Sequence, residues 1–424
     1  MSDIIIYGAG KTGQALKNLF AGCNVAIYDD NTSLSQIKNV DWGKVKLVIT
    51  SPGVPPHSKF LHMCAERGVP VVGELQLCCG LYTNKTVSVT GTNGKTTATQ
   101  MIKHMLDACG QHSKLLGNGG IPLSQGIPQL AQDEVVVLES SSFQLKDCSN
   151  FHPEVSAFTN LAPDHLDYHL TYQNYIDAKL NNFLHQTSSQ YAIFNLDDEQ
   201  VVKYSQLAKG QRFFYSTQTP CNCYYDNGKV VVDIGIKQTY SFENTFLPYN
   251  LSNLLCATLC VACLGLDVGV ALKSIRTFKF DDHRMQFISK LGRVSFVDDS
   301  KATNIHAVIS ALHSTTDDIY LILGGADKGL QFDQLVNCTD FAKVKFVACI
   351  GQTAPQIASL LQSIGVDCMV CTTLQQATQV SYHKAKQMGG MVLLSPACSS
   401  FEMFESYKHR GMVFQQCVKE LGNA

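Results

Sequence analysis

The sequence has no excess of either charge: 33 Lys and Arg stand against 35 Asp and Glu, a formal net charge of −2. That excludes the broad basic surface with which proteins hold nucleic acid or an anionic membrane. An anionic ligand must then be held locally, by single cations and helix ends. Also missing is an apolar run of about 20 residues, the length that crosses a bilayer. No signal-peptide pattern precedes the first strand, because Met1-Ser2-Asp3 leads straight into Ile4-Ile5-Ile6-Tyr7. There is no internal repeat and no low-complexity tract. The expectation is a cytoplasmic, monomeric protein that neither binds nucleic acid nor inserts into membranes. Its 424 residues correspond to about three domains at ~100–200 residues each, and 45% hydrophobic content is enough for sizeable cores.

Cysteine is plentiful, at 17, but a disulfide or zinc pattern is lacking. The count is odd and the contexts are mostly apolar, as in Val347-Ala348-Cys349-Ile350, which reads as small buried hydrophobes. Cys260/Cys263 and Cys368/Cys371 are Cys-x-x-Cys pairs. The first falls in a helical apolar run and the second in a strand-like run, too far apart for a compact zinc ribbon.

What is present centres on Val87-Ser88-Val89-Thr90-Gly91-Thr92-Asn93-Gly94-Lys95-Thr96-Thr97. Val87 and Val89 alternate with polar residues and end a strand. Gly91 and Gly94 bracket a short loop. Ala98, Met101, Ile102, Met105, Leu106 and Cys109 then recur at helical spacing, and Gly110 closes the helix. Strand, glycine loop and helix together point backbone N–H groups and a helix N-terminus at an anion. Lys95 adds a mobile cation for β- and γ-phosphates, and the Thr96 hydroxyl suits Mg²⁺. A plain strand-to-helix turn would use the glycines but not the Lys-Thr pair. The reading is an ATP site, and so an enzyme that uses ATP.

Upstream, a strand over 3–7 runs into Gly8-Ala9-Gly10-Lys11-Thr12-Gly13 and a helix through Phe20. A second strand from Val25 to Tyr28 ends at Asp29-Asp30. This Gly-x-Gly-x-x-Gly with acids about 20 residues on fits NAD, and equally any nucleotide-binding βαβ unit. Further βα units at 47–53 and 69–74 close a small domain near residue 84. Downstream, Val135–Leu138 is a buried strand ending in Glu139, a natural Mg²⁺ ligand beside a phosphate loop. Ala162-Pro163-Asp164-His165-Leu166-Asp167 reads either as a metal shell or as a solvated loop. Residues 222–246 alternate like hairpin strands around Asp226-Asn227-Gly228, and Asn253 opens an apolar helix, 254–264. The pattern restarts after the charged junction Phe280-Asp281-Asp282-His283-Arg284. Strands at 294–297, 319–323, 346–350, 368–371 and 391–394 alternate with helical segments. Three polar loops follow their ends, at Asp299-Ser300-Lys301, Gly324-Gly325-Ala326-Asp327-Lys328-Gly329 and Ser395-Pro396-Ala397-Cys398-Ser399-Ser400. Ligands bind at such carboxyl ends. The fold class is α/β in three domains, each on a mainly parallel sheet. A Rossmann-like domain spans 1–84, a P-loop ATPase-like domain 85–280 and a Rossmann-like domain 281–424.

In order and spacing, these motifs resemble the Mur ligase family, and most closely its D-glutamate-adding branch, from Gly8 to Gly411. Gly91-Thr92-Asn93-Gly94-Lys95-Thr96 resembles its ATP loop, and Asn160-Leu161-x-Pro163-Asp164-His165-Leu166-Asp167 its second motif. Lys179 stands in Asp177-Ala178-Lys179, where the family carries a metal-binding lysine. Asn250-x-x-Asn253 resembles its adenine-side motif, and Asp282-His283-Arg284 with Asp299-Ser300-Lys301-Ala302-Thr303-Asn304 the entry to its third domain. The chain departs at Tyr249, where histidine is usual, at Tyr168, where arginine is frequent, and at Gly119, where a larger residue is common. It has no Asp-Asn-Pro-Arg loop of the diaminopimelate and lysine enzymes.

The resemblance implies an amide-forming ligase acting in the cytoplasmic stage of peptidoglycan synthesis. It would add D-glutamate to UDP-N-acetylmuramoyl-L-alanine through an acyl phosphate made from ATP. It implies ATP contacts from Gly91 through Thr97 and from Asn253, Arg284 and Asp299. Lys11, Thr12, Asp30 and Ser51 would hold UDP rather than NAD, and Asn118, Ser141 and His165 would face the muramoyl–alanine end. Lys301, Thr303, Lys328, Ser399 and Phe404 would form the D-glutamate pocket. Lys95, Glu139, His165 and Lys179 would be catalytic. Two Mg²⁺ ions are expected, one at Thr96 and Glu139 and one among Glu139, His165 and Lys179, with Lys179 carbamoylated by CO₂. The alternatives are another Mur or folylpolyglutamate-type ligase, a NAD-dependent oxidoreductase built on Gly8–Gly13, or an inactive UDP-sugar-binding protein. The oxidoreductase leaves Lys95, His165 and the whole third domain without a role.

Overall fold

The structure is a computed structural model that describes residues 3–31, 33, 40–118, 120–244, 246–327 and 330–423. Three sheets organise these residues. The first holds β1 (Ile4–Tyr7), β2 (Val25–Tyr28), β3 (Leu47–Thr50) and β4 (Val71–Gly73) in the order β2-β1-β3-β4, all parallel. The period of two explains why β1 is apolar at every position. Ile5 and Tyr7 enter the core on one face, Ile6 and Ile4 the core on the other.

The second sheet contains β5 (Thr86–Thr90), β6 (Ser113–Gly117), β7 (Val135–Glu139), β8 (Val155–Phe158), β9 (Tyr191–Asn195), β10 (Gln211–Ser216), β11 (Cys223–Asp226), β12 (Lys229–Asp233) and β13 (Lys237–Ser241). Their order is β13-β12-β11-β10-β9-β8-β5-β7-β6, so the glycine-loop strand β5 lies between β7 and β8. Only the far end is antiparallel. There Asn227 and Gly228, both at positive φ, turn β11 back as β12, the hairpin expected of Asn-Gly. The third sheet holds β14 (Gln286–Leu291), β15 (Val294–Asp298), β16 (Ile319–Gly324), β17 (Val344–Ile350), β18 (Cys368–Val370) and β19 (Gly390–Leu394) in the order β14-β15-β19-β16-β17-β18. Alternation again feeds two cores, Ile319, Leu321 and Leu323 into one, Tyr320 and Ile322 into the other.

By internal contacts the chain divides into two units. Met1–Pro163 with Tyr168–Phe278 is one, and Asp164–Asp167 with Lys279–Ala424 is the other. The first and second sheets share the first unit. No helix among the described residues is long and apolar enough to cross a membrane.

Two expectations need correction. The apolar helix does not open at Asn253. It runs Pro248–Cys263, because Pro248 at its first turn has the φ a helix start requires and a missing N–H that costs nothing there. Asn250 and Asn253 thus both lie on the helix. The strand-like run 368–371 is cut to Cys368–Val370. The edge strands β6 and β14 carry too weak an alternation to be read from sequence, whereas β9 is a short apolar run buried on both faces, which periodicity alone does not separate from a helix segment.

Close approach fixes the first glycine loop. Gly8 has φ +105°, and a Cβ on Gly13 would sit 1.8 Å from the Gly8 carbonyl oxygen, so the helix Lys11–Leu19 packs directly on the loop. Gly13→Ala should therefore destabilise the protein by roughly 1–3 kcal/mol, as overpacking does. A lowered urea midpoint checks this; an unchanged midpoint contradicts the packing described.

Candidate active site

The first cluster of predicted residues surrounds the carboxyl ends of β1 and β3, where the strand order of the first sheet reverses. A cavity of about 460 Å³ opens there, lined by Lys11, Thr12, Asp30, Ser51 and Asn118 among others. Such a switch point is where open α/β sheets bind ligands. Its walls are tied together. The Ala9 N–H donates to Asp29 Oδ2 at 2.7 Å, Tyr7 Oη donates to Asp30, and Ser51 Oγ donates to the Gly8 carbonyl at 3.2 Å. Asp29 thus braces the glycine loop. Ser141 is not among the lining residues. It caps the helix Ser142–Leu145 in a capping box with Gln144, and Gln144 lines the cavity instead. Tyr168 reaches the Pro52 carbonyl at 3.5 Å. Gly119 lies outside the described residues.

The second cluster is the loop between β5 and the helix Lys95–Ala108. Gly91 (φ +142°) and Gly94 (φ +85°) adopt conformations that favour glycine, and neither has room for a side chain. A Cβ on Gly91 would be 1.9 Å from Thr159 Oγ1, and one on Gly94 2.3 Å from Asn253 Oδ1. The loop is pinned to the residues after β8. Asn93 N donates to Asn160 Oδ1 at 2.8 Å, and Thr159 Oγ1 donates to the Asn93 carbonyl at 2.6 Å. Thr92 Oγ1 hydrogen-bonds Tyr175 Oη at 3.0 Å.

Two lysines converge here. Lys95 Nζ donates to the carbonyls of Gly91 and Thr92 at 2.8 and 2.7 Å. Lys179 is only 1% exposed, and its Nζ donates to the same Gly91 oxygen at 2.7 Å while lying 4.8 Å from the centre of the Tyr175 ring. Thr96 is half-buried and Thr97 buried in the first turn. Glu139 ends β7, buried, with one carboxylate oxygen accepting from Asn118 Nδ2 at 3.0 Å. Asn253 is buried beside Gly94, and one turn earlier the Asn250 Oδ1 is buried with no hydrogen-bond partner among the described residues. Below the loop lies a buried polar network that sequence reasoning missed. Ser88 Oγ donates to Asn182 Oδ1 at 2.6 Å and pairs with Ser140 Oγ at 2.8 Å. The signal was Ser88 itself, a hydroxyl facing inward from a valine strand.

The third cluster belongs to the second unit. His165, at φ +54°, groups with that unit, whereas Glu139 and Lys179 belong to the first. Its backbone N–H donates to Asp164 Oδ1 at 2.9 Å, and Asn304 Nδ2 donates to Asp164 Oδ2 at 3.2 Å. Asp299 is 5% exposed and accepts from Ser395 Oγ at 2.8 Å and the Met285 N–H at 3.2 Å. Burial pushes its carboxyl up to about 7, against the pull of the Ser395 hydrogen bond and the nearby Arg284 charge. Arg284 Nε is buried with no hydrogen-bond partner among the described residues. Lys301 pairs with Asp281 at 3.1 Å and lies 5.7 Å from the Tyr407 ring centre.

Thr303 is half-buried just before the helix Ile305–His313, which Asn304 caps. The Ser399 carbonyl accepts from the Ala326 N–H at 3.1 Å, joining two of the three polar loops. Phe404 packs on a core cluster and edge-on to His409. Lys328 lies outside the described residues. Sequence reasoning missed Arg410, which is 1% exposed. It donates to Ser300 Oγ (3.0 Å), the Ser300 carbonyl (2.8 Å) and the Cys398 carbonyl (3.0 Å), locking two loops together. It also missed the buried His283 Nδ1–Asp298 Oδ2 pair at 2.7 Å. A Cβ on Gly411 would lie 2.1 Å from that imidazole, which explains the glycine.

Asp299 makes a pH prediction. Its folded pKa is raised above the unfolded value, so the folded state holds the extra proton between about pH 4 and 7. The stability contribution of this group is therefore lost as pH rises through that window. Asp299→Asn removes the titration. The unfolding free energy of the variant relative to wild type should rise from pH 4 to 8 in denaturant titrations, and a constant difference contradicts the burial effect.

Comparison with known proteins gives the family. The family model for the Mur ligase middle domain matches residues 89–261, and that for the Mur ligase glutamate ligase domain matches residues 283–398. The UDP-N-acetylmuramoylalanine–D-glutamate ligase of Thermoanaerobacter sp. (strain X514) is 32% identical, covering 99% of this chain and 98% of that protein. The enzyme of the same name from Alkaliphilus oremlandii is 35% identical over 88% of this chain and 84% of its own. Among solved structures, a pseudomurein peptide ligase type C from Methanothermus fervidus superposes with a TM-score of 0.65 at 14% identity, covering 99% of this chain and 100% of that one. The MurF ligase of Thermotoga maritima in complex with ADP gives 0.62 at 15%, covering 99% of this chain and 96% of that one. These structures share the three-domain α/β fold, and the curated relatives place the chain more narrowly: it belongs to the Mur ligase family, in the branch of the UDP-N-acetylmuramoylalanine–D-glutamate ligases.

Proposed function

We propose that the chain joins D-glutamate to the carboxylate of UDP-N-acetylmuramoyl-L-alanine, with ATP converting that carboxylate into an acyl phosphate, in the cytoplasmic stage of peptidoglycan synthesis. The observation that carries this reading is the convergence of Lys95 and Lys179 on the Gly91 carbonyl inside a glycine loop at a helix N-terminus. Two cations held against one backbone oxygen make a site built for dense negative charge.

An amine does not displace the oxygen of a free carboxylate in water, so activation must come first. The Gly91–Thr97 segment and Lys95 hold the β- and γ-phosphates and take up the charge that develops as the phosphoryl group moves to the carboxylate. The amine of D-glutamate then attacks the acyl carbon, and phosphate leaves with the former carboxylate oxygen. Asn253, beside Gly94, is assigned to the nucleotide base side. Lys11, Thr12, Asp30 and Ser51 are assigned to UDP, and Asn118 to the muramoyl–alanine end. On the second unit, Arg284, whose Nε has its hydrogen-bonding capacity in reserve, and Asp299 are assigned to ATP. Lys301, Thr303, Lys328, Ser399 and Phe404 are assigned to D-glutamate.

The residues at the loop fit magnesium. Thr96 offers a hydroxyl and Glu139 a carboxylate, hard oxygen donors of the kind Mg²⁺ prefers. No group of three His, Cys, Asp or Glu among the described residues forms a metal cage, which suits an ion that keeps waters and takes substrate phosphates as ligands. When bound, it would offset phosphate charge. Carbamoylation of Lys179 belongs to the same reading. It would replace one of two crowded cations by an anion with two oxygens beside Glu139's strand. A carbamate nitrogen keeps one N–H, so the hydrogen bond to the Gly91 carbonyl survives.

Two variants test the assignment. Lys95→Ala should abolish D-glutamate-dependent ADP release while circular dichroism stays that of the wild type; near-normal turnover removes Lys95 from the mechanism. Lys179→Arg keeps the charge but cannot form this carbamate, so it should lose most activity, and stripping CO₂ and bicarbonate should slow the wild type but not any residual rate of the variant. A fully active Lys179→Arg contradicts the carbamate.

A further inference from the structure

The three polar loops of the third sheet follow β15, β16 and β19. A fourth loop, Gly351-Gln352-Thr353, follows β17, the neighbour of β16, and carries none of the assigned residues. A closed ring of contacts joins it to two of the others. The Ala326 N–H donates to the Ser399 carbonyl at 3.1 Å. One residue on, the Asp327 N–H donates to Gln352 Oε1 at 3.1 Å. The Gln352 N–H donates in turn to Glu402 Oε2 at 2.7 Å. Glu402 lies within the turn that the Phe404 N–H closes on the Ser400 carbonyl at 2.8 Å, which brings the ring back to Ser399.

Packing inside the ring is tight. A Cβ on Gly351, at φ +71°, would sit 2.6 Å from Gly325 Cα and 3.0 Å from Glu402 Oε2. Thr353 is 1% exposed, and its Oγ1 accepts from the Gly325 N–H at 3.2 Å. That hydroxyl is therefore turned away from the helix Ala354–Ser363, whose N-cap residue Thr353 makes no side-chain cap bond. Glu402 instead brings a carboxylate to the N–H just ahead of the cap, where the helix dipole favours an anion.

We propose that Gln352 and Glu402 are positioning residues for D-glutamate, holding Ser399 and Phe404 in the arrangement that receives it. The inference rests on the assignment of Ser399 and Phe404 to that substrate. Arg410 fixes their loop at Cys398. The stretch beyond, which carries both pocket residues, is fixed by the ring. Charge adds a second reason for the tether. D-Glutamate brings two carboxylates, and Glu402 stands two residues from Phe404. A loose carboxylate there would repel the substrate, and the bond to the Gln352 N–H ties it to the loop after β17. Loss of either contact lowers the population of the binding arrangement, and the apparent affinity falls by the same fraction.

The test measures ADP release by the full chain with UDP-N-acetylmuramoyl-L-alanine saturating, first at varied D-glutamate and then at varied ATP. Gln352→Met keeps the side chain's length without its oxygen, and Glu402→Ala removes the anchor. Both side chains are exposed, so neither change opens the core. Each variant should raise KM for D-glutamate by roughly two- to tenfold, the effect of one hydrogen bond, and leave kcat and KM for ATP unchanged. Exchanging the pair, Gln352→Glu with Glu402→Gln, keeps an acceptor oxygen at each position and the same net charge, and should restore KM for D-glutamate. The proposal is overturned if either single variant keeps the wild-type KM for D-glutamate, if KM for ATP rises in step, or if the exchange restores nothing. A wild type whose ADP release ignores D-glutamate overturns the substrate assignment and this inference with it, a result read before any variant is made.

Discussion

One carbonyl oxygen, that of Gly91, receives two lysine side chains. The contacts are 2.8 and 2.7 Å, so the two nitrogens lie no farther apart than their sum, 5.5 Å. As ammonium groups they repel by at least about 3 kcal/mol at an effective dielectric of about 20. The fold holds them there regardless. Gly91 can turn only because it lacks a Cβ that would strike Thr159, and Thr159 with Asn160 grips the loop from β8. Lys179 is sealed against the ring of Tyr175, which in turn bonds Thr92 of the same loop. A phosphate, or an anion made of Lys179 itself, turns that repulsion into attraction.

The second unit shows a different device. Of the six non-glycine residues with positive φ among those described, three lie in stretches already singled out for chemistry, His165, His283 and Ala397, and Met285 directly follows one of them. Each such conformation costs on the order of 1 kcal/mol or more and persists only where its surroundings over-determine it. Here Arg410 does much of that. Its three hydrogen bonds gather the 298–301 and 395–400 loops, and burial lowers its own pKa to about 10 while the Cys398 carbonyl and two Ser300 oxygens satisfy it. Asp298 is anchored from two sides by His283 and Gln415. The third sheet thus presents its loops from a stiff frame.

Much of this was legible in the residues. Glycine spacing, a lysine at a helix start and acids at strand ends follow from backbone geometry and charge, and they located the glycine loop, the buried Glu139 at the end of its strand and the first-domain cavity. The central apolar strands of the third sheet were equally plain, because both their faces are buried. What stayed hidden depends on tertiary contact. Arg410 sits in a helix that reads as ordinary, and only the fold brings it to Ser300. Ser141 looked like a ligand, yet its hydroxyl closes a capping box and Gln144 takes its place on the cavity wall. Pro248 moved the start of the helix that carries Asn253 because helix-start chemistry outweighed the apolar period.

The central claim is that the carboxylate is activated as an acyl phosphate within the Gly91–Lys95 loop. The most direct measurement labels both carboxylate oxygens of UDP-N-acetylmuramoyl-L-alanine with ¹⁸O and follows the label through one turnover with ATP and D-glutamate. One ¹⁸O should appear in inorganic phosphate, with ADP as the other nucleotide product and the second ¹⁸O retained in the new amide. Label found in AMP, or phosphate released without any ¹⁸O, would contradict the account.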